Sequence, residues 1–209
     1  MTASPQSGLA AALKTNQVGN GEDFWGDNLK AIGEKFKTSL ADQITVEEPG
    51  IATFVLTDTS KSFDLAVAIQ EAMWPSPLAF SIVSSGPEEV SRIRNQAIRG
   101  LKLVGKGNSF IFQLQGRSKS ETLLAQEVAN LHSTIIKEWT PTRTKAVRQY
   151  RELKRQVDVA IQMGVSQQAI SQMLTGAHYR RLATTEAVLR EWLNEPAAPG
   201  IWPLRRKQS

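Results

Sequence analysis

Residues 159–174 read VAIQMGVSQQAISQML. Two short apolar-periodic runs meet at a single glycine, and how that junction is read decides what the rest of the chain is for. A helix-turn-helix needs two helices crossing around a tight turn. It needs a small residue where the helices cross, and Ala160 is one. It needs a turn residue that tolerates positive φ, and Gly164 supplies it. It needs an N-cap for the second helix, and Ser166 can accept an amide hydrogen bond from the next turn. Val159, Met163, Val165, Ile170 and Met173 then fall on the seam, and Ala169 and Leu174 complete it. The positions left facing outward are Gln167, Gln168, Ser171 and Gln172. A glutamine carries a donor and an acceptor together and can pair with adenine N6 and N7, a discrimination of roughly 1–3 kcal/mol per good pair. The plainer alternative is a helical hairpin in a bundle, with solvated glutamines.

The flanks favour the DNA reading. Residues 140–209 hold 12 Lys and Arg against 5 Asp and Glu, whereas residues 1–139 hold 13 against 15. The basic excess therefore lies wholly in the last third, which favours a polyanionic partner there. Nine of those twelve cations are arginine, the better phosphate ligand. PTRTKAVRQYRELK (141–154) is the expected first helix of a three-helix unit, with Arg143, Lys145, Arg148 and Arg151 partly outward. After the recognition helix, Arg180 and Arg181 stand where phosphates would run; a solvated turn is the alternative. Thr185 is the expected cap of the last helix, with Val188, Leu189, Trp192 and Leu193 packing back. The tail residues Arg205 to Lys207 add either a non-specific contact or nothing.

Upstream the patterning alternates. EDFWGDNLKAIGEKFKTSL places Trp25, Leu29, Ile32, Phe36 and Leu40 on one helical face. DQITVEEPG and IATFVLTDTS predict two strands joined at Pro49-Gly50. A helix from Ser60 or Ser62 stops before Pro75, and PLAFSIVSS predicts a third strand. Pro87 and two glutamates open a further helix, and NSFIFQLQ predicts a fourth strand. SKSETLLAQEVANLHSTIIKEWT predicts a long helix with Leu123, Leu124, Val128, Leu131, Ile135 and Ile136 on one side. The expected fold is α+β: a four-stranded ferredoxin-like or α/β sandwich followed by an all-α helix-turn-helix domain. The boundaries read as a poorly ordered tail over 1–20, with a helical turn at GLAAAL, and an α/β domain over 21–139 whose connector helix is 119–139. The helix-turn-helix domain spans 140–197 and a basic tail 198–209.

KEWTPTRTKAVRQYRELKRQVDVAIQMGVSQQAISQMLTGAHYRRLATTEAVLREWL (137–193) resembles the C-terminal part of SatD-family proteins, in which a Trp-Thr pair commonly opens the helix-turn-helix. FDLAVAIQEAMWPSPLAFSIVSSG (63–86) is similar to the family's helix, proline and central strand, and the likeness runs from about residue 25 to 194. The resemblance implies a nucleotide-cyclase-like α/β domain with a Gly-Asp-Glu-Phe motif at a hairpin. The matching place here reads Pro49-Gly50-Ile51-Ala52, without the carboxylates, although Glu47 and Glu48 stand just before it. Cyclase chemistry needs acidic residues to hold Mg²⁺ on the triphosphate. The resemblance therefore implies the architecture without that chemistry.

Other chemistry has little support. There is no cysteine, and the two histidines, His132 and His178, are far apart, which leaves no metal-ligand pattern and no Ser-His-Asp arrangement. VGKGNS (104–109) lacks the spacing of a phosphate loop, and SSGPEEV (84–90) puts two glutamates where an anion would sit. Glu47, Glu48 and Asp58 are the candidates for a remnant polar site, against solvated loop carboxylates. The five tryptophans, Trp25, Trp74, Trp139, Trp192 and Trp202, read as core and interface plugs. No apolar run is long enough to span a membrane and no signal peptide is evident, which fits a cytoplasmic protein.

The expectation is a sequence-specific DNA-binding regulator without enzyme activity or cofactor, a homodimer on double-stranded DNA that reads two half-sites. Its contact residues are Ser166, Gln167, Gln168, Ser171, Gln172, Arg180 and Arg181. The alternatives are a divergent nucleotide-processing enzyme and a protein–protein adaptor.

Overall fold

The computed structural model describes residues 6–14, 21–48, 50–85 and 89–195. Strand β1 is Gln6–Leu13, helix α1 Gly21–Phe36, β2 Thr45–Glu48, β3 Ile51–Leu56, α2 Lys61–Ala72 and β4 Leu78–Ser85. Helix α3 is Val90–Leu101, β5 Phe110–Leu114 and α4 Lys119–Lys137. Four further helices follow: α5 Pro141–Leu153, α6 Gln156–Met163, α7 Gln167–Gly176 and α8 Tyr179–Asn194. The fold is α+β, with one five-stranded sheet ordered β2-β3-β1-β4-β5. β1 lies antiparallel between β3 and β4, and β5 is parallel to β4. The first four strands with α1 and α2 make two split βαβ units, the ferredoxin-like arrangement, and β5 is an added edge.

The four strands expected from sequence are thus β2 to β5, and the one that organises the sheet falls in the stretch whose sequence predicts a poorly ordered tail with a helical turn. Residues 6–13 are instead the central strand. The reason is composition: SGLAAAL is made of weak strand formers. The small side chains are required because α3 lies directly on that strand. A Cβ on Gly8 would sit 2.6 Å from Ile93 Cγ2, and one on Gly100 would sit 2.0 Å from Ser81 Oγ. Ala10, Val55, Val83, Ile93 and Ala97 form the thin core on this face.

The other face carries the main core. Leu9, Phe54, Phe80 and Phe110 meet Trp25 and Ile32 of α1, Phe63 and Ile69 of α2, and Ala129 and Ile136 of α4. Helix α1 is interrupted at Gly26, and Leu40 lies beyond it, in a bridge to Leu56. Trp25 and Trp139 are buried, Trp74 and Trp192 half-buried, and Trp202 lies outside the described residues. So does the expected opening of α3 at Pro87; the described helix starts after Glu89. Among the described residues, no helix is long and apolar enough to cross a membrane.

Helix α4 meets its expected polarity only in part: Ile136 is buried and Val128 and Ile135 are half-buried, but the three leucines are not. It opens on a capping box, Ser118 Oγ accepting from the Glu121 amide and Glu121 Oε2 from the Ser118 amide. Its buried side is Ala125, Gln126, Ala129, Asn130, His132, Ser133 and Ile136, whereas Leu123, Leu124 and Leu131 face solvent. The inward amides have a definite task. Asn130 Oδ1 accepts the backbone N–H groups of Ser109 and Phe110, each at 2.9 Å, and Gln126 Oε1 accepts that of Phe112 at 3.3 Å. Among the described residues no strand pairs with the outer edge of β5, and α4 satisfies its outward donors.

Candidate nucleic-acid interface

The last four helices are separated by sharply placed stops. Thr140 caps α5 by accepting from the Arg143 amide, with Pro141 at the first helical position. Lys154 ends α5 at φ 62°, and Gly164 ends α6 at φ 67°. Only the glycine adopts that conformation without a Cβ penalty. Ser166 Oγ then accepts from the Ala169 amide at 3.1 Å and starts α7. The first helix, Gly164 turn, Ser166 cap and second helix all stand where sequence placed them.

The seam is partly as expected. Val159 and Ile170 are completely buried, Ala160 and Leu174 nearly so, and Met163 and Met173 pack against them half-buried. Val165 does not belong to it: 38% exposed, it sits in the turn beyond the last turn of α6. Two expectations about the last helix also change. Thr185 lies inside α8, which starts at Tyr179, so it caps nothing; Val188 points to solvent. Leu182, Glu186, Leu189 and Leu193 are the residues α8 buries.

Ser166, Gln167, Gln168, Ser171 and Gln172 are all exposed, and with Thr175 they make an uncharged polar face along α7. Arg180 and Arg181 are exposed in the first turn of α8. A groove of about 860 Å³ joins the two, lined by Gln156, Ser171, Thr175, His178, Arg180 and Arg181 among others. Ser171 and both arginines thus share one concavity, while Gln167, Gln168 and Gln172 lie outside it. Gln156, at the start of α6, and Thr175 were not singled out from sequence. Thr175 carried a signal, being one helical turn beyond Ser171; Gln156 carried none.

The arginines of α5 divide. Lys145 and Arg148 are exposed. Arg143 lies along the end of α7, its guanidinium about where a Cβ on Gly176 would fall (Nη2 at 2.9 Å). Arg151 turns inward rather than outward. Its guanidinium reaches Glu71 Oε1 at 2.8 Å and both Glu186 oxygens at 2.7 and 2.9 Å. His132, buried on α4, stands with Nε2 3.0 Å from Glu186 Oε1. Arg190 of α8 grips both oxygens of Asp64 on α2 at 2.7 Å. Burial pushes the Glu186 carboxyl up, but hydrogen bonds from His132 and Arg151 outweigh it and hold it at about 2. Burial dominates at Glu71 and raises its carboxyl, against the pull of Arg151. The same two carboxylates raise Arg151 despite its burial, so its charge is fixed. Part of the basic excess of the last third therefore joins the helical unit to the sheet domain instead of facing a polyanion.

At the hairpin, Gly50 has φ 82° and Glu47 accepts from Thr53 Oγ1 at 3.3 Å. Asp58 is engaged locally, accepting from the Ser60 amide and hydroxyl at 2.9 and 2.6 Å. The Glu48 side chain and Pro49 lie outside the described residues. Among the described residues no three His, Asp or Glu side chains group as metal ligands.

The chain matches no protein-family model and none of the curated proteins. Among solved structures it is similar to a regulator of polyketide synthase expression from Bifidobacterium adolescentis, at 12% identity and a TM-score of 0.31, over 91% of this chain and 82% of that one.

Proposed function

We propose that this chain is a sequence-specific DNA-binding protein, a cytoplasmic transcriptional regulator that places α7 in the major groove and acts as a homodimer. One observation carries the reading. An uncharged, hydrogen-bonding helix face, Gln167, Gln168, Ser171 and Gln172, is held fully outward by a capped glycine-turn hairpin and stands beside two exposed arginines. Glutamines at these places suit base edges, and Arg180 and Arg181 suit phosphates. The SatD resemblance joins the same two parts, a cyclase-like domain and a C-terminal helix-turn-helix. A single recognition helix touches few base pairs, so specificity calls for two half-sites about one turn of DNA apart.

The test is selection of bound sequences from random duplex DNA with the full-length chain, followed by binding titrations. Gln167→Ala with Gln168→Ala removes the sequence preference and leaves salt-dependent affinity. Arg180→Ala with Arg181→Ala weakens all sequences alike and lowers the salt slope by up to about 2. Sequence preference that survives the glutamine substitutions overturns the assignment of α7, and no salt-dependent binding at all overturns the DNA reading.

A further inference from the structure

Where the end of α1 and the outer side of α2 meet α5 and α8, a cleft of about 420 Å³ opens. It continues along α1 and α2 into a second hollow of about 380 Å³, which shares Lys35, Ala68, Glu71 and Arg151 with it. A space of this size suits a small molecule, and the junction of two structural units is a common place for such a site. Phe36, Val67 and Ala68 make part of its wall apolar.

The charge around the cleft is unbalanced. Lys35, Lys61, Arg151, Lys154 and Arg190 line it, five cations against the three carboxylates of Asp64, Glu71 and Glu186. The second hollow adds Arg148 and Glu152, one of each sign, so the excess of two stays. The carboxylates are already engaged by the arginines. Arg190 takes both oxygens of Asp64, and Arg151 takes Glu71 and Glu186. Lys61 reaches only that same Asp64, at 3.8 Å. Lys35 stands over the Phe36 ring, its Nζ 5.9 Å from the ring centre. Lys154 makes no ion pair among the described residues.

Lys154 supplies a second observation. It ends α5 at φ 62°, in the left-handed region where a Cβ is unfavourable and glycine is the usual occupant. Gly164 fills the equivalent place at the end of α6. The strained residue at the end of α5 is instead a lysine, and it brings an ammonium group to the cleft. Backbone strain of this kind concentrates at ligand sites.

We propose that the cleft binds a small organic dianion, a dicarboxylate or a phosphate ester, between Lys35 and Lys61 of the sheet domain and Lys154 of the helical unit. The acid groups meet the three ammonium groups, and the carbon chain lies along Phe36, Val67 and Ala68. The bound anion bridges α5 to α1 and α2, alongside the links that Arg151 and Arg190 make. This site goes beyond the DNA reading and does not depend on it, because binding is measured without DNA.

The thermal midpoint of the full-length chain is followed against succinate, glycerol 3-phosphate and, at equal ionic strength, acetate. At least one of the two dianions raises the midpoint saturably, as a ligand of the folded state does, and acetate leaves it unmoved. The dianion that saturates at the lower concentration identifies the acid. Lys154→Gly separates binding from folding. It raises the midpoint without ligand, since glycine suits φ 62°, yet weakens the dianion about tenfold. Lys35→Met with Lys61→Met weakens it further, whereas Lys102→Met, just past α3 on the opposite face of the sheet, leaves the affinity unchanged. No response to either dianion overturns the proposal. So does a response to acetate equal to theirs, or native affinity in Lys154→Gly.

Discussion

Glu186 shows how much of a residue's role depends on chain it cannot see. In sequence it is one carboxylate in a basic segment; in the fold it holds Arg151, 35 residues earlier, and His132, 54 residues earlier. The same distance hid Arg151, whose helical position fitted an outward phosphate contact and whose carboxylates come from α2 and α8. Glu186 is held at about 2, below the ordinary value of 4.5, so its stabilisation is present in full above about pH 4.5 and is lost as the pH falls toward 2. Glu71 is raised and works in the opposite direction. Glu186→Gln isolates the first effect: urea unfolding gives a loss of at most about 3 kcal/mol near pH 6, shrinking steadily between pH 4.5 and 2. A loss that is the same at both ends of that range would show that the carboxylate charge is not what stabilises the contact. Removing the shared cation is more severe. Arg151→Met leaves two carboxylates buried without their partner and costs about 3–5 kcal/mol in the same measurement at neutral pH.

Elements were legible where periodicity and punctuation agreed. Helices α2, α4, α5, α6 and α7 lie where spacing, Pro75, Gly164 and Ser166 put them. Two features were not legible, the whole of β1 and the choice of inner face on α4, for opposite physical reasons. β1 looks featureless because its partner α3 approaches too closely for larger side chains, so the strand's signature is an absence of volume. α4 reads as an ordinary amphipathic helix, but its inner face is set by the unpaired edge of β5, which needs acceptors, and its leucines are displaced outward. The close approach gives a prediction for the element pair β1–α3. Gly8→Ala puts a methyl group 2.6 Å from Ile93 Cγ2, an overpacking that costs roughly 1–3 kcal/mol. Ile93→Ala costs about 2–5 kcal/mol alone. Combined, the two lose less than their sum, because each relieves part of the other's fault. Additive losses in denaturant unfolding would mean that the methyl group is accommodated elsewhere.

For the whole molecule, the described strands all lie before Trp139-Thr140-Pro141 and only helices are described after it, but the packing runs through that point. Val147, Val159, Ile170, Leu182 and Leu193 belong to the same apolar cluster as Phe54 and Phe80. Trp139 donates its indole N–H to the Ala177 carbonyl at 3.0 Å, and Trp192 stacks on Phe112 with ring centres 6.5 Å apart. Asp64–Arg190 and Glu71–Arg151 add two ionic links from α2. Helix α8 thus carries the exposed Arg180 and Arg181 at one end and is locked to the sheet domain along the other. A unit that borrows this much of its core from a neighbour does not keep its stability when cut away. The full-length chain therefore unfolds in guanidinium as one transition, tryptophan fluorescence and helical circular dichroism coinciding. Residues 140–209 produced alone unfold at a clearly lower denaturant concentration, since the side of α8 formed by Leu189, Trp192 and Leu193 is left in water. Asp64→Ala in the full chain lowers the common midpoint by the equivalent of about 1 kcal/mol, a modest loss because Arg190 is partly solvated. Equal midpoints for the fragment and the full chain would show instead that the helical unit is a self-sufficient domain, and that the ionic links from α2 only orient it.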